Sequence, residues 1–128
     1  MEVSQSIKIT LELVTDFAKV SRDFNPIHLD EEYAKNSTFG KPIAHGMLLS
    51  SFFSSLIAQE YPGPGSIYLN QELSFLRPCF IGETINVRVK LIKQEGVKYF
   101  LKTQIFNSRD EVIIDGQALI LKKGKGAE

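Results

Sequence analysis

Two short stretches hold residue types that can do proton chemistry. In Asp23-Phe24-Asn25-Pro26-Ile27-His28 an acid and an imidazole bracket an Asn-Pro turn. Proline fixes its own φ and asparagine tolerates tight turns, so the two side chains can converge on one point. A carboxylate and an imidazole that share one water can activate it, because either accepts its proton. Asp-x-Asn-Pro is also a common turn sequence, and spacing alone leaves both readings open. The second stretch is His45-Gly46-Met47, just ahead of an apolar run. Gly46 can open a helix there. A helix N-terminus carries unpaired N–H groups and partial positive charge, and glycine lets another group approach the backbone. A carbonyl oxygen placed against it would be polarised, and negative charge forming on it would be stabilised. The bland alternative is that Gly46 is a helix start packed on a sheet.

The elements that position these groups follow from periodicity. In "SIKITLEL" Ile7, Ile9, Leu11 and Leu13 alternate, as in a half-buried strand. Thr15 reads as a helix N-cap with Asp16 in the first turn, and the helix over "DFAKVSRD" should stop before Asn25-Pro26. Asp30 can cap a second short helix, "EEYAKN". From Gly46 to "YPGPG", Met47, Leu48, Leu49, Phe52, Phe53, Leu56 and Ile57 surround much of a helix, which should therefore be buried. The exceptions, Ser50, Ser51, Ser54, Ser55 and Ala58, are small enough to let another backbone approach. Four strand signals follow: "SIYLNQELSFLRP", "ETINVRVKLIKQ", "VKYFLKTQIFN" and "EVIIDGQALILKK". The breaks at Ile81-Gly82-Glu83, Glu95-Gly96 and Ser108-Arg109-Asp110 are short enough for hairpins, which makes these strands antiparallel. The pattern predicts an α+β protein: a curved antiparallel β-sheet wrapped around one long apolar helix.

Composition narrows the function classes. The chain has 128 residues, enough for one domain, expected over 1–128 with 123–128 as a frayed tail. Lys+Arg and Asp+Glu balance at 15 each, with no basic stripe interleaved with aromatics, so no nucleic-acid partner is expected. One cysteine fits a reducing compartment, and two histidines without cysteine partners give no zinc spacing. "MEVSQSIKIT" has no secretory pattern and "GMLLSSFFSSLIA" is too short and too rich in serine to span a bilayer. A soluble cytoplasmic protein without membrane contact is expected. His45 reads as a structural residue, Cys79 as a small buried hydrophobe, and Tyr33 and Phe39 as packing residues that could also line a substrate channel. Phe24 and Ile27 are expected to pin the turn to the core. Arg77 and the lysines are expected in solvent, with contact to phosphates of a ligand as the alternative.

The run "DFNPIHLDEEYAKNSTFGKPIAHGMLLSS" strongly resembles the MaoC-like (R)-specific enoyl-CoA hydratase family. That family's motif is Asp-x-Asn-Pro-[apolar]-His, followed by a His-Gly-Met helix start. "GPGSIYLNQELSFLRPCFIGETI" looks like the family's pattern after the helix, and the likeness covers nearly the whole chain. The resemblance implies the hot-dog fold and hydration of trans-2-enoyl-CoA to (3R)-3-hydroxyacyl-CoA. It implies that Asp23 and His28 hold the catalytic water and that the Gly46 N–H bonds the thioester carbonyl. Asn25, Ser54 and Met47 would contact or support the substrate. No metal, flavin or nicotinamide is implied, since coenzyme A is part of the substrate. A homodimer with coenzyme A near the subunit boundary is expected, because exposed sheet edges invite pairing. Two alternatives stand beside this: a 3-hydroxyacyl-[acyl-carrier-protein] dehydratase with an acyl carrier protein as partner, and a thioesterase or acyl-CoA binder of the same fold. A thioesterase of this fold usually carries its carboxylate on the helix, and there is no acid between Met47 and Gln59. The geometric expectation is that Asp23, His28 and the Gly46 N–H line one pocket.

Overall fold

A computed structural model of the chain describes residues 1–124. In chain order the elements are β1 (Glu2–Lys8), α1 (Leu11–Ser21), α2 (Pro26–Leu29), α3 (Glu31–Lys35), α4 (Gly46–Gln59), β2 (Ile67–Phe75), β3 (Thr84–Glu95), β4 (Lys98–Phe106) and β5 (Val112–Leu121). The five strands form an antiparallel sheet in the order β1-β3-β4-β5-β2. Period-two patterning decides which face is inside. Ile85, Val87 and Val89 on β3, and Leu101, Thr103 and Ile105 on β4, are buried, while their neighbours are less so. Register shifts interrupt the ladders near Leu69, near Ile92 and between Ile105 and Phe106. Such bulges bend strands and increase twist, which lets a sheet curl.

The buried sheet face closes on α4, which packs across β3 and β1. Leu48, Leu49, Phe53, Leu56 and Ile57 join the strand residues in one core cluster. Burying the Phe53 side chain contributes about 1.5–3 kcal/mol. This is the α+β arrangement that the pattern predicts and the hot-dog fold that the resemblance implies. Met47, Ser51, Ser54 and Ala58 lie on the exposed face of α4.

Two local expectations are corrected. β1 ends at Lys8 and α1 begins at Leu11, so Leu11 and Leu13 are helical. Thr10, not Thr15, is the N-cap: its Oγ1 accepts the Leu13 N–H at 3.1 Å, and Glu12 rather than Asp16 occupies the first turn. Four alternating residues fit a strand, yet the helical face of Val14 and Ala18 buries more completely once Thr10 caps the turn. The break at Ile81-Gly82-Glu83 is not a hairpin. β2 pairs with β5 at one edge, β3 pairs with β1 near the other, and residues 76–83 cross between them. Leu76 and Arg77 N–H groups bond the Ile113 carbonyl, and Gly82 bonds Ile9, so the crossing is tied at both ends. Lys123 and Gly124 are exposed outside the strands, and the rest of the expected tail lies outside the described residues. Among the described residues no helix is long and apolar enough to cross a membrane.

Candidate active site

The turn between α1 and α2 is built from its own polar side chains. Arg22 adopts the left-handed conformation that closes α1 (φ 65°). The Asp23 N–H then donates to Ser21 Oγ at 3.2 Å, and the Asn25 N–H donates to Asp23 Oδ1 at 3.1 Å. Asn25 caps α2 by accepting the Ile27 N–H on Oδ1 at 3.2 Å, with Pro26 at the first helical position. His28 therefore projects from a rigid single turn. It is buried, and its Nδ1–H donates to the Ile43 carbonyl at 2.7 Å. A carbonyl can only accept, so Nδ1 carries the proton and Nε2 keeps its lone pair. Burial is the main reason the imidazole is held below its ordinary value of 6.5; the Ile43 bond and Asp23 act the other way, while His45 adds to the lowering.

The head of α4 is placed by long-range contacts. Ile43 bridges to Phe80, and the Ala44 N–H donates to the Cys79 carbonyl at 2.8 Å. His45 is the helix N-cap but makes no side-chain capping bond. Its Nε2–H instead donates to the Asp23 carbonyl at 3.0 Å. Its ring stacks on His28, with centroids 3.8 Å apart and planes 28° from parallel, and meets Phe17 edge-on at 5.0 Å. His45 is 2 % exposed, and its Nδ1 is buried with no hydrogen-bond partner among the described residues. An unpaired buried polar atom of this kind costs about 1–3 kcal/mol. Gly46 follows, and the first N–H groups of a helix have no intrahelical acceptor. A Cβ at Gly46 would lie 2.5 Å from Phe75 Cε1, so glycine is required for the phenyl ring to rest there.

These two pieces border a cavity of about 500 Å³. His28, Gly46, Met47, Phe39, Phe75, Arg77 and Cys79 are among the residues lining it, and its walls are mainly apolar. Buried Cys79 is inert as a nucleophile, because desolvation, helped by Glu83, pushes its thiol up to about 12. Asp23, His28 and His45 each offer an atom within 4.8 Å of the others. Two acceptors that close can share one water through hydrogen bonds of about 2.8 Å each. The same trio has metal-ligand residue types. Yet a single ion needs lone pairs that converge, and stacked imidazoles hold theirs side by side in their ring planes. The arrangement suits a water held between Asp23 and His28 beside a helix N-terminus able to polarise a carbonyl.

The predicted residues fall into three groups. His28, Gly46 and Met47 line the cavity. Asp23 reaches the site through its proximity to His28: it is exposed and does not itself form the wall, which narrows the one-pocket expectation. Asn25 holds the turn rather than the cavity. Ser54 is on the exposed face of α4 and is not among the lining residues; Ser50 and Ser51 bond the Gly46 and Leu48 carbonyls. Phe24 does not anchor the turn. It is 59 % exposed, because the Asp23 and Asn25 hydrogen bonds already fix the backbone, while Ile27 is half-buried. Phe39 and Arg77 border the cavity, the second of the two roles open to each, and Arg77 Nη1 donates to the Val112 carbonyl. His45 is structural as expected, bonding a backbone carbonyl, but its partner Asp23 and its stack on His28 were not foreseen. The signal was present: a histidine at an N-cap position cannot cap as serine or aspartate does.

Comparison with known proteins agrees with this geometry. A family model described as "MaoC like domain" matches residues 1–112. The chain is 40% identical over 126 residues to the (R)-specific enoyl-CoA hydratase of Aeromonas caviae, covering 94% of each. It is 38% identical over 112 residues to the mitochondrial 3-hydroxyacyl-[acyl-carrier-protein] dehydratase of Arabidopsis thaliana, covering 84% of this chain and 66% of that protein. Among solved structures, the unliganded R-hydratase PhaJ1 of Pseudomonas aeruginosa superposes with a TM-score of 0.93 at 35% identity, covering 98% of this chain and 81% of that one. With its turn, helix head and sheet order arranged as they are, the chain belongs to the MaoC-like domain family.

Proposed function

We propose that this protein is a hydro-lyase that adds water to trans-2-enoyl-CoA and gives (3R)-3-hydroxyacyl-CoA. The observation that carries the proposal is the buried His28, its Nδ1 tied to the Ile43 carbonyl so that Nε2 keeps its lone pair, with a ring nitrogen within 4.8 Å of the Asp23 carboxylate and the ring against an apolar cavity. A water donating one hydrogen to Asp23 and one to His28 Nε2 turns its lone pairs outward, toward C3 of a bound enoyl group. Asp23 takes the proton as the C3–O bond forms, and the C2=C3 electron pair moves toward the thioester carbonyl. The Gly46 N–H and the helix N-terminus stabilise the enolate oxygen. The proton taken from water is returned to C2 by the pair, so the product carries both parts of one water and the enzyme is regenerated. His28 holds the water and shares the transfer. The acyl chain extends along the apolar wall near Met47. The reaction needs no metal, flavin or nicotinamide.

A homodimer completes this reading. The edge strand β2 exposes Ile67, Tyr68, Leu69 and Phe75, and an unpaired apolar edge favours sheet extension. Coenzyme A would bind near the boundary, and the lone buried Cys79 fits a reducing cytoplasm. Analytical ultracentrifugation at micromolar concentration should show a dimer; a monomer would refute that part. For the activity, crotonyl-CoA should lose its enoyl absorbance without releasing free thiol, and chiral analysis should return the (3R) product. Thiol release would indicate a thioesterase. The Arabidopsis relative supports one second reading, the same chemistry on a carrier-protein thioester, and turnover restricted to acyl carrier protein would select it.

A further inference from the structure

We propose that His45 is a positioning residue for this reaction: it ties the backbone of Asp23 to the ring of His28, so the acid and the imidazole move as one unit with the head of α4. The inference rests on the hydratase reading. Its support is geometric. One imidazole touches both halves of the pair, through the Nε2–H bond to the Asp23 carbonyl at 3.0 Å and through the stack on His28 at 3.8 Å. The next residue, Gly46, is the proposed carbonyl donor, so the same contact sets the distance between water and carbonyl. A residue kept only as a helix cap would bond the N2 or N3 amide, as serine, threonine or aspartate does. His45 makes no such bond and leaves Nδ1 buried without a partner among the described residues. That arrangement is poor capping and good positioning.

Charge coupling adds a second consequence. From the turn His28 faces Asp23, and from the head of α4 it faces His45. Cys79, whose thiol stays neutral, and the guanidinium of Arg77 also line the cavity, and neither is among the groups that shift His28. His45 is thus the neighbour whose removal relieves a repulsive contribution, and the His28 midpoint should rise in its absence.

Two substitutions separate positioning from space filling. His45→Phe keeps the stack and the volume but loses the donor; His45→Gln keeps an Nε2–H donor and loses the stack. On crotonyl-CoA, His45→Phe should lower kcat about tenfold to a hundredfold with KM changed less than about threefold, and His45→Gln should retain more kcat than His45→Phe. The opposite order, or unchanged kcat in His45→Phe, overturns the proposal. In a His28→Gln background His45→Phe should cost less than it does in the parent, because only the tie to Asp23 is left to lose, whereas a fully additive loss overturns the coupling to His28. The second readout needs no activity. The chain has two histidines, so either His45 variant shows a single imidazole titrating by NMR, and its midpoint should lie above that of His28 in the parent. An unmoved midpoint in both folded variants overturns the coupling. Wild-type protein inert toward both enoyl-CoA and carrier-protein substrates would sink the hydratase reading instead, and the titration would still decide whether His45 acts on His28.

Discussion

The two halves of the site are held in opposite ways. Residues 22–30 are fixed by short-range bonds from Ser21, Asp23 and Asn25, each spanning two residues, and most of that backbone is exposed. The head of α4 is fixed by partners far along the chain: Cys79, Phe80, Phe75 and the Asp23 carbonyl. The turn backbone is shaped largely by its own side chains, and Ile43 and His45 then hold the His28 ring and the Asp23 carbonyl from outside. The helix head is a tertiary product, and only packing sets how far its N–H lies from them. Precision at the reacting bond depends on a joint between a local and a global structure, and His45 spans that joint.

This contrast can be broken at either side. The largest effect should come from the turn's chemistry. Asp23→Asn and His28→Gln should each lower kcat by at least about 100-fold with the fold intact by circular dichroism. Unchanged hydration kinetics in both would remove the site. Next is the packed side. In Gly46→Ala the new Cβ must displace the Phe75 ring, lowering kcat/KM about tenfold, and Phe75→Ala in the same chain should restore part of it. No restoration would mean that the ring is not what the methyl strikes. A smaller effect tests the local bonds. Asn25→Ala removes the α2 cap and should cost about 1 kcal/mol in urea unfolding.

The gentlest probe is pH. His28 binds its proton more weakly in the folded protein than in the unfolded chain, mainly through burial. Below its ordinary value of 6.5 the unfolded chain therefore binds more protons, so stability falls as pH drops from there through the lowered midpoint. The neutral ring is also the active form, so the acid limb of kcat/KM should have its midpoint below 6.5. A limb centred above that value would contradict the buried, neutral assignment.

How much was legible follows from the same division. β3, β4 and β5 could be read from alternation, because buried residues recur at every second position along part of each strand. The turn could be read from Asn-Pro chemistry, and the α4 start from glycine ahead of an apolar run. The end of β1 could not, since Ile9, Leu11 and Leu13 fit both periods until Thr10 is known to cap. The placement of β2 beside β5 is a choice of partner, which alternation cannot express. His45 could be read as a structural residue, but its partners could not, because they are long-range: the Asp23 carbonyl lies 22 residues away.

The strand order has a kinetic consequence. Consecutive strands β3, β4 and β5 can zip as hairpins, but β1 must find β3 across a separation such as Ser6 to Asn86, 80 residues apart, and β2 must pass over to β5. Non-local pairings of this kind close slowly, on the order of milliseconds to seconds. Phe75, Arg77 and Cys79 come with β2 and its crossing. A partly folded chain can thus hold its turn and its hairpins and still have no cavity wall, so catalytic competence should arrive with the last strand to dock.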